Sequence, residues 1–137
     1  MLVFRGRYDE ALDTASTALF IDPDSAAARA VQAMAMDWKS SELADEGFDQ
    51  DAADMLREAL REANLAIEKD PSSAVSYAYL AEILFDLGSY AEADEAILTA
   101  LSIDENQLDV QRIAGYLSEL RGYRDDAIAY YQAAIAL

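Results

Sequence analysis

The chain has 137 residues, 53% of them hydrophobic, and its 27 acidic against 10 basic side chains give a formal net charge of −17 at pH 7. This apolar fraction is sufficient for a packed core. The absence of cysteine and histidine excludes disulfides, thiol nucleophiles, imidazole bases and Cys/His zinc sites. Because the net charge repels phosphates and anionic lipid surfaces, we expect neither a nucleic-acid nor a membrane partner.

Localisation signals are also missing. No secretory signal precedes the first predicted helix, and no run of about 18 apolar residues is present. We expect a soluble, cytoplasmic protein, in keeping with the lack of cysteine, and the sequence indicates no cofactor.

Residues 1–25 carry a pattern that returns 48 residues later. The matching pairs are Ala11 and Ala59, Ala18 and Ala66, Leu19 and Ile67, Asp22 and Asp70, and Pro23 and Pro71. Counting back from Pro23 places Met1 in the middle of the first helix of a repeat, so we expect a partial first repeat and a segment of a longer array. The alternative is a complete small protein that covers its end faces by self-association.

The second repeat, residues 26–73, is 14 residues longer than the step of 34 found further along. We place the insertion near residues 37–54, where seven acidic residues and one base occur, and expect both helices of this repeat to be about two turns longer, joined near Gly47. The spacing of these acids does not match a calcium-binding EF-hand loop. Counted from Asp45, the sixth position, where the loop needs glycine, is Gln50, and the twelfth, where it needs glutamate, is Leu56. We therefore predict a solvated acidic helix tip.

The third repeat (residues 74–107) and the fourth (108–137) are related by a step of 34. Ala59, Ala93 and Ala127 share this step, as do Gly88 and Gly122. Apolar residues follow a three-and-four spacing on both sides of Gly88, which predicts one helix, a tight turn and a second antiparallel helix in each repeat.

This pattern resembles the tetratricopeptide repeat. The residues that carry the resemblance in the third repeat are Tyr77, Leu80, Ala81, Leu84, Ala93, Ile97 and Ala100. Departures occur at Arg29 and Gln32, where an aromatic residue and a leucine are usual, and at Glu105, where a proline is usual. The resemblance implies an all-α fold in which antiparallel helix pairs stack into a right-handed superhelix, or solenoid.

The resemblance also implies that the first helix of each pair lines a concave groove. We expect this groove to bind a peptide or helix of neutral or basic character. The candidate groove residues are Met34, Asp37, Trp38, Val75, Ala78, Tyr79, Glu82, Phe85, Asp86, Asp109, Arg112, Tyr116 and Glu119. Alternatively, Trp38, Phe85 and Tyr116 pack between helices or cover a face that other repeats bury.

Two other roles are weighed against peptide binding. Family members that hold the acidic tails of chaperones use a clamp of Lys, Arg and Asn, whereas the corresponding positions here include Ala78, Tyr79 and Glu82, with Arg112 as the one comparable cation. Catalysis by a carboxylate pair is disfavoured because no pair is distinguished from the many acids present. We therefore expect a noncatalytic interaction module, or alternatively a structural or oligomerisation segment acting through its end faces.

Overall fold

The fold is all-helical in the part of the chain that the structure describes. This computed structural model describes the backbone of residues 2–137 and the side chains of residues 8–137. Seven α-helices and no strand occur there: α1 (Leu2–Ile21), α2 (Ala26–Asp45), α3 (Asp49–Lys69), α4 (Ala74–Asp86), α5 (Tyr90–Ile103), α6 (Leu108–Leu120) and α7 (Arg124–Ile135). They form two compact units, residues 1–71 and 72–137. The predicted all-α fold class is confirmed.

The N-terminal unit contains α1, α2 and α3. Residues 2–21 form one continuous helix, although the repeat frame predicts the end of one helix and the start of another within them. A helix propagates more readily than it restarts, because each new start fixes several residues for a single hydrogen bond. The predicted position of Met1 lies outside the described residues. In α2 and α3 the chain has 20 and 21 helical residues, compared with 13 and 14 in α4 and α5.

The turns within the helix pairs are built on glycine. Gly47 and Gly88 have positive φ angles of 87° and 83°, which other residues rarely adopt. In each turn the N–H of the next residue donates to a carbonyl in the last helical turn, Phe48 to Leu43 and Ser89 to Leu84, both at 2.9 Å. This geometry satisfies carbonyl groups that the helix end would otherwise leave without a donor. The turn between the two long helices therefore lies at Gly47, inside the acidic segment.

Serine and aspartate side chains organise the turns between helix pairs. The hydroxyl oxygen of Ser73 accepts a hydrogen bond from the N–H of Ser76 at 3.2 Å and caps α4. Before α6, the Asp104 carboxylate accepts hydrogen bonds from the N–H of Asn106 at 2.9 Å and from the side-chain amide of Gln107 at 3.0 Å. These bonds order the turn in which Glu105 replaces the usual proline.

The C-terminal unit contains the pairs α4–α5 and α6–α7, and α6 packs on both α4 and α5. Its largest fully buried side chains are Ile83, Val110 and Ile113. The repeated alanines Ala93, Ala100 and Ala127 lie in its core, and Ala93 and Ala100 are completely buried. Small side chains at these positions allow the helices to approach closely.

Candidate functional site

The candidate residues of the C-terminal unit lie on one side of α4 and one side of α6. Their spacing of three and four residues places them in a row along each helix, and the two helices are in contact. We call this surface the α4–α6 face. Its residues are Val75, Tyr79, Glu82, Phe85 and Asp86 on α4, and Asp109, Arg112, Tyr116 and Glu119 on α6.

A hydrogen-bonded group of three residues joins the two helices at one end of the α4–α6 face. The buried Tyr79 hydroxyl of α4 donates to the Asp109 carboxylate of α6 at 2.7 Å, and the Arg112 guanidinium lies 3.4 Å from the other oxygen of Asp109. Burial, followed by the hydrogen bond to Asp109, raises the pKa of Tyr79 well above its usual range. Tyr79 thus stays protonated and holds the Asp109 carboxylate in position.

The middle of the face is formed by α4. The Glu82 side chain is buried, whereas Asp86 is exposed to solvent. The Phe85 ring packs against Tyr90 of α5 with ring centroids 4.8 Å apart and an interplanar angle of 55°. The Asp86 carboxylate and the part of the Phe85 ring that Tyr90 leaves uncovered are therefore the accessible groups in this part of the face.

The second half of the α6 row joins the face to α7. Tyr116 is 36% exposed. The Tyr131 hydroxyl of α7 donates a hydrogen bond to the Glu119 carboxylate at 2.8 Å. Burial and then this hydrogen bond raise the pKa of Tyr131 to about 12. Both acids of the α6 row, Asp109 and Glu119, are therefore oriented by a tyrosine hydroxyl.

Substitution of Tyr131 tests this arrangement. A spectrophotometric titration of the parent chain and of Tyr131→Phe measures the phenolate absorbance of each protein. The difference between the two curves should have its midpoint near pH 12. Because the folded pKa lies above the ordinary value of about 10, Tyr131 contributes its full stabilisation below pH 10 and loses it as the pH rises toward 12. A midpoint near pH 10 would contradict the hydrogen bond to Glu119.

The candidates of the N-terminal unit are more enclosed. Asp37 is 1% exposed and Met34 is half-buried. The Trp38 ring packs on Tyr8 of α1, with centroids 5.0 Å apart, and the neighbouring Lys39 forms an ion pair with Asp9 at 2.7 Å. These contacts tie α2 to α1, so much of the Trp38 surface packs against a neighbouring helix.

Three tyrosines that shape these surfaces were not among the predicted site residues. Tyr8, Tyr90 and Tyr131 contact Trp38, Phe85 and Glu119 respectively. Tyr131 lies 34 residues after Ile97, and this spacing indicates a packing residue but gives no information on its hydroxyl. For the other two tyrosines the sequence offers one weak indication of a shared role, because Tyr8 and Tyr90 each lie two residues after a glycine.

The described residues provide charged and aromatic groups without a metal cluster. No three of their acidic side chains lie close enough together to hold a metal ion. No helix among them has both the length and the apolar character needed to cross a membrane. The α4–α6 face offers carboxylates, a guanidinium and aromatic rings for noncovalent contacts.

Comparison with known proteins identifies the repeat. Residues 74–107 match the family model of the tetratricopeptide repeat. No curated protein sequence matches the chain. Among solved structures, the chain is similar to TTC0263, a thermophilic TPR protein of Thermus thermophilus, with 20% identity and a TM-score of 0.78 over 96% of this chain and 66% of that one.

Two further structural relatives have the same fold. The human IFIT1 dimer with PPP-AAAA is 24% identical, with a TM-score of 0.71 over 96% of this chain and 31% of that one. MamA 41-end from Desulfovibrio magneticus RS-1 is 15% identical, with a TM-score of 0.62 over 99% of this chain and 69% of that one. The chain thus spans about two thirds of the Thermus protein and about a third of IFIT1. Residues 74–107 thus match the tetratricopeptide repeat, and the chain has the fold of tetratricopeptide-repeat proteins.

Proposed function

We propose that this chain is a noncatalytic protein-interaction module whose α4–α6 face binds a peptide or helix of neutral or basic character. The observation that carries the proposal is the α6 row of Asp109, Arg112, Tyr116 and Glu119. This row combines acidic, basic and aromatic groups, and its two acids are held by Tyr79 and Tyr131.

Fixed side chains favour binding because less conformational freedom is lost when a partner docks. Holding a long side chain still costs about 0.5–1.5 kcal/mol at an interface. In the free protein the Asp109 carboxylate is already oriented by Tyr79, and the Glu119 carboxylate by Tyr131. Tyr116 adds an aromatic surface of the type that contributes strongly to protein interfaces.

The charge of the face supports a neutral or basic protein partner. Asp86 and Glu119 are exposed, and the net charge of −17 attracts cations over a long range. The relative IFIT1 was solved with PPP-AAAA. Phosphates approaching the α4–α6 face would meet Asp86 and Glu119, so we favour a protein partner over a nucleic acid for this chain.

Peptide selection tests the proposal. We would select 15-residue peptides from a random library against the 137-residue chain and measure affinities by calorimetry. Tyr116→Ala should weaken the best peptides at least tenfold, equivalent to about 1.4 kcal/mol. Combined Asp86→Asn and Glu119→Gln substitutions should weaken them and flatten the salt dependence of binding.

The control removes the same charge elsewhere. Glu92→Gln combined with Glu95→Gln neutralises two exposed acids on α5, away from the face. This variant should bind the selected peptides with nearly parental affinity. If the control and the face variants lose affinity equally, or if acidic peptides dominate the selection, the proposed binding face is wrong.

A further inference from the structure

The α4–α6 face has two chemically different ends. Because α4 and α6 are each separated from α5 by a short turn, they run in the same direction. Asp86 is the last residue of α4 and Glu119 lies in the last turn of α6, so both exposed acids belong to the C-terminal ends of these helices. Neither helix has a basic residue in its last turn. We call this part of the surface the acidic end of the face.

The two acids are unfavourably placed within the chain. The C-terminal end of a helix carries a partial negative charge, so an acid in the last turn is repelled by its own helix. Arg121 follows α6 but pairs with Asp94 at 3.1 Å. Arg124 lines the same cleft as Glu119, and in the described part of the chain no ion pair joins the two. A positive group from another molecule would therefore be attracted to the acidic end.

The opposite end of the face carries less uncompensated negative charge. Asp109 lies in the first turn of α6, where the helix dipole favours an acid, and its carboxylate contacts Tyr79 and Arg112. The Arg112 side chain is 39% exposed and remains accessible to an acid on a ligand. The Glu82 carboxylate lies between the two ends and is buried, so it favours neither end.

We infer that the ligand of the α4–α6 face is an amphipathic helix that runs antiparallel to α4 and α6, an inference that rests on the proposed function. In this direction the N-terminal N–H groups of the ligand, which carry partial positive charge, lie at the acidic end. From its N-terminus the ligand carries a base opposite Glu119, an apolar residue opposite Tyr116 and an acid opposite Arg112. The spacing of these three residues is i, i+3 and i+7.

The spacing of the α6 row favours a helix over an extended peptide. Glu119, Tyr116 and Arg112 are separated by steps of three and four residues, or about 4.5 and 6 Å along the helix axis. Residues on one side of an extended peptide repeat at about 7 Å, so its third contact would be displaced by about 3–4 Å. A helical ligand has the same steps as α6 and keeps all three contacts in register.

The chain itself does not carry the ligand pattern. None of its 10 Lys and Arg residues is followed by an apolar residue three positions later and an acid seven positions later. Two copies would also bring together two molecules that each have a net charge of −17. The ligand is therefore a different polypeptide.

Two stapled helical peptides of opposite sequence direction are suitable probes. The forward peptide carries Lys, Leu and Glu at i, i+3 and i+7, with alanine and glutamine elsewhere and the staple on the opposite side. The reversed peptide has the same sequence written backwards, so its side chains match the face only in the parallel direction. In calorimetry, we expect the forward peptide to bind the 137-residue chain about fivefold more tightly than the reversed peptide.

Substitutions in the chain test the origin of this preference. Asp86→Asn combined with Glu119→Gln should reduce the difference between the two peptides to less than twofold, whereas the control Glu92→Gln with Glu95→Gln should preserve it. Arg112→Gln should weaken the forward peptide several-fold. The same substitution should change the affinity of a forward peptide with Gln in place of Glu by less than twofold.

Spin labels measure the direction of the bound peptide. A nitroxide at the N-terminus of the forward peptide should broaden the amide signals around Asp86 and Glu119, and one at its C-terminus those around Val75 and Asp109. The opposite pattern, equal or tighter binding of the reversed peptide, or binding of neither peptide would overturn the inference. The proposed function stands in each of these cases if Tyr116→Ala still weakens the selected peptides, and fails if the face variants and the Glu92–Glu95 control lose affinity equally.

Discussion

Arg29→Ala should lower the free energy of unfolding of the N-terminal unit by about 2–3 kcal/mol. The Arg29 guanidinium donates to the Glu62 carboxylate of α3 at 2.9 Å and to the carbonyl of Pro23 at 3.0 Å. The Arg29 and Glu62 side chains are only 22% and 12% exposed. Truncation therefore leaves a largely buried carboxylate without its cation, which costs more than the loss of an exposed pair.

An exposed ion pair in the same unit provides the control. Arg57 lies 2.6 Å from Asp54, and the two side chains are 58% and 60% exposed. Arg57→Ala should change the stability by less than about 0.5 kcal/mol. Urea denaturation followed by the fluorescence of Trp38, the single tryptophan, reports on this unit. Equal losses in the two variants would show that the Arg29 pair has no special structural role.

Gly115→Ala should destabilise the C-terminal unit by up to about 2 kcal/mol, although alanine is the better helix former. A Cβ atom at position 115 would lie 2.6 Å and 2.7 Å from two carbons of the Tyr131 ring. The ring cannot withdraw without disturbing its 2.8 Å hydrogen bond to Glu119. We expect overpacking, at about 1–3 kcal/mol, to exceed the helix-propensity gain of about 1 kcal/mol.

The third repeat suggests the compensating change. At the positions equivalent to Gly115 and Tyr131 it has Ala81 and Ile97. The double variant Gly115→Ala with Tyr131→Ile reproduces this pair and should recover more than half of the stability that Gly115→Ala loses. Thermal and urea unfolding followed by circular dichroism measure the coupling between the two sites. Additive effects would contradict a direct steric contact.

Much of the fold was predictable because each element has a strong local signal. The positive φ angles at Gly47 and Gly88 and the serine cap of α4 follow from residue types with distinct backbone preferences. The 34-residue step adds a check on each signal, because the buried positions of Ala93 and Ala100 require a small side chain in every repeat. The helices and the positions of the turns could therefore be predicted from the sequence.

The departures from the repeat pattern could be recognised but not explained from the sequence. Arg29 stands in an aromatic position, and its partner Glu62 lies 33 residues away on another helix. Such a pairing depends on the rotation and separation of two packed helices, which a sequence period does not specify. The structure shows that an ion pair and a backbone hydrogen bond occupy this position.

The candidate site was predictable at the level of helix faces but not of individual contacts. Spacing alone groups Asp109, Arg112, Tyr116 and Glu119 on one side of α6. Burial of Asp37 and Glu82 depends on neighbouring helices, and so do the hydroxyl contacts of Tyr79 and Tyr131. Because of these tertiary contacts, α6 and the exposed Asp86 are the most accessible parts of the candidate surface.

The position of a bound peptide on the chain can be measured by paramagnetic broadening of amide signals. A selected peptide carrying a nitroxide spin label would be added to the ¹⁵N-labelled chain, and the loss of amide signal measured residue by residue. We expect the strongest loss in α4 and α6, around Phe85, Asp109 and Tyr116, and a smaller loss in the Tyr116→Ala variant, which binds the peptide more weakly. Signal loss concentrated on α5, around Glu92 and Glu95, would contradict the proposed binding face.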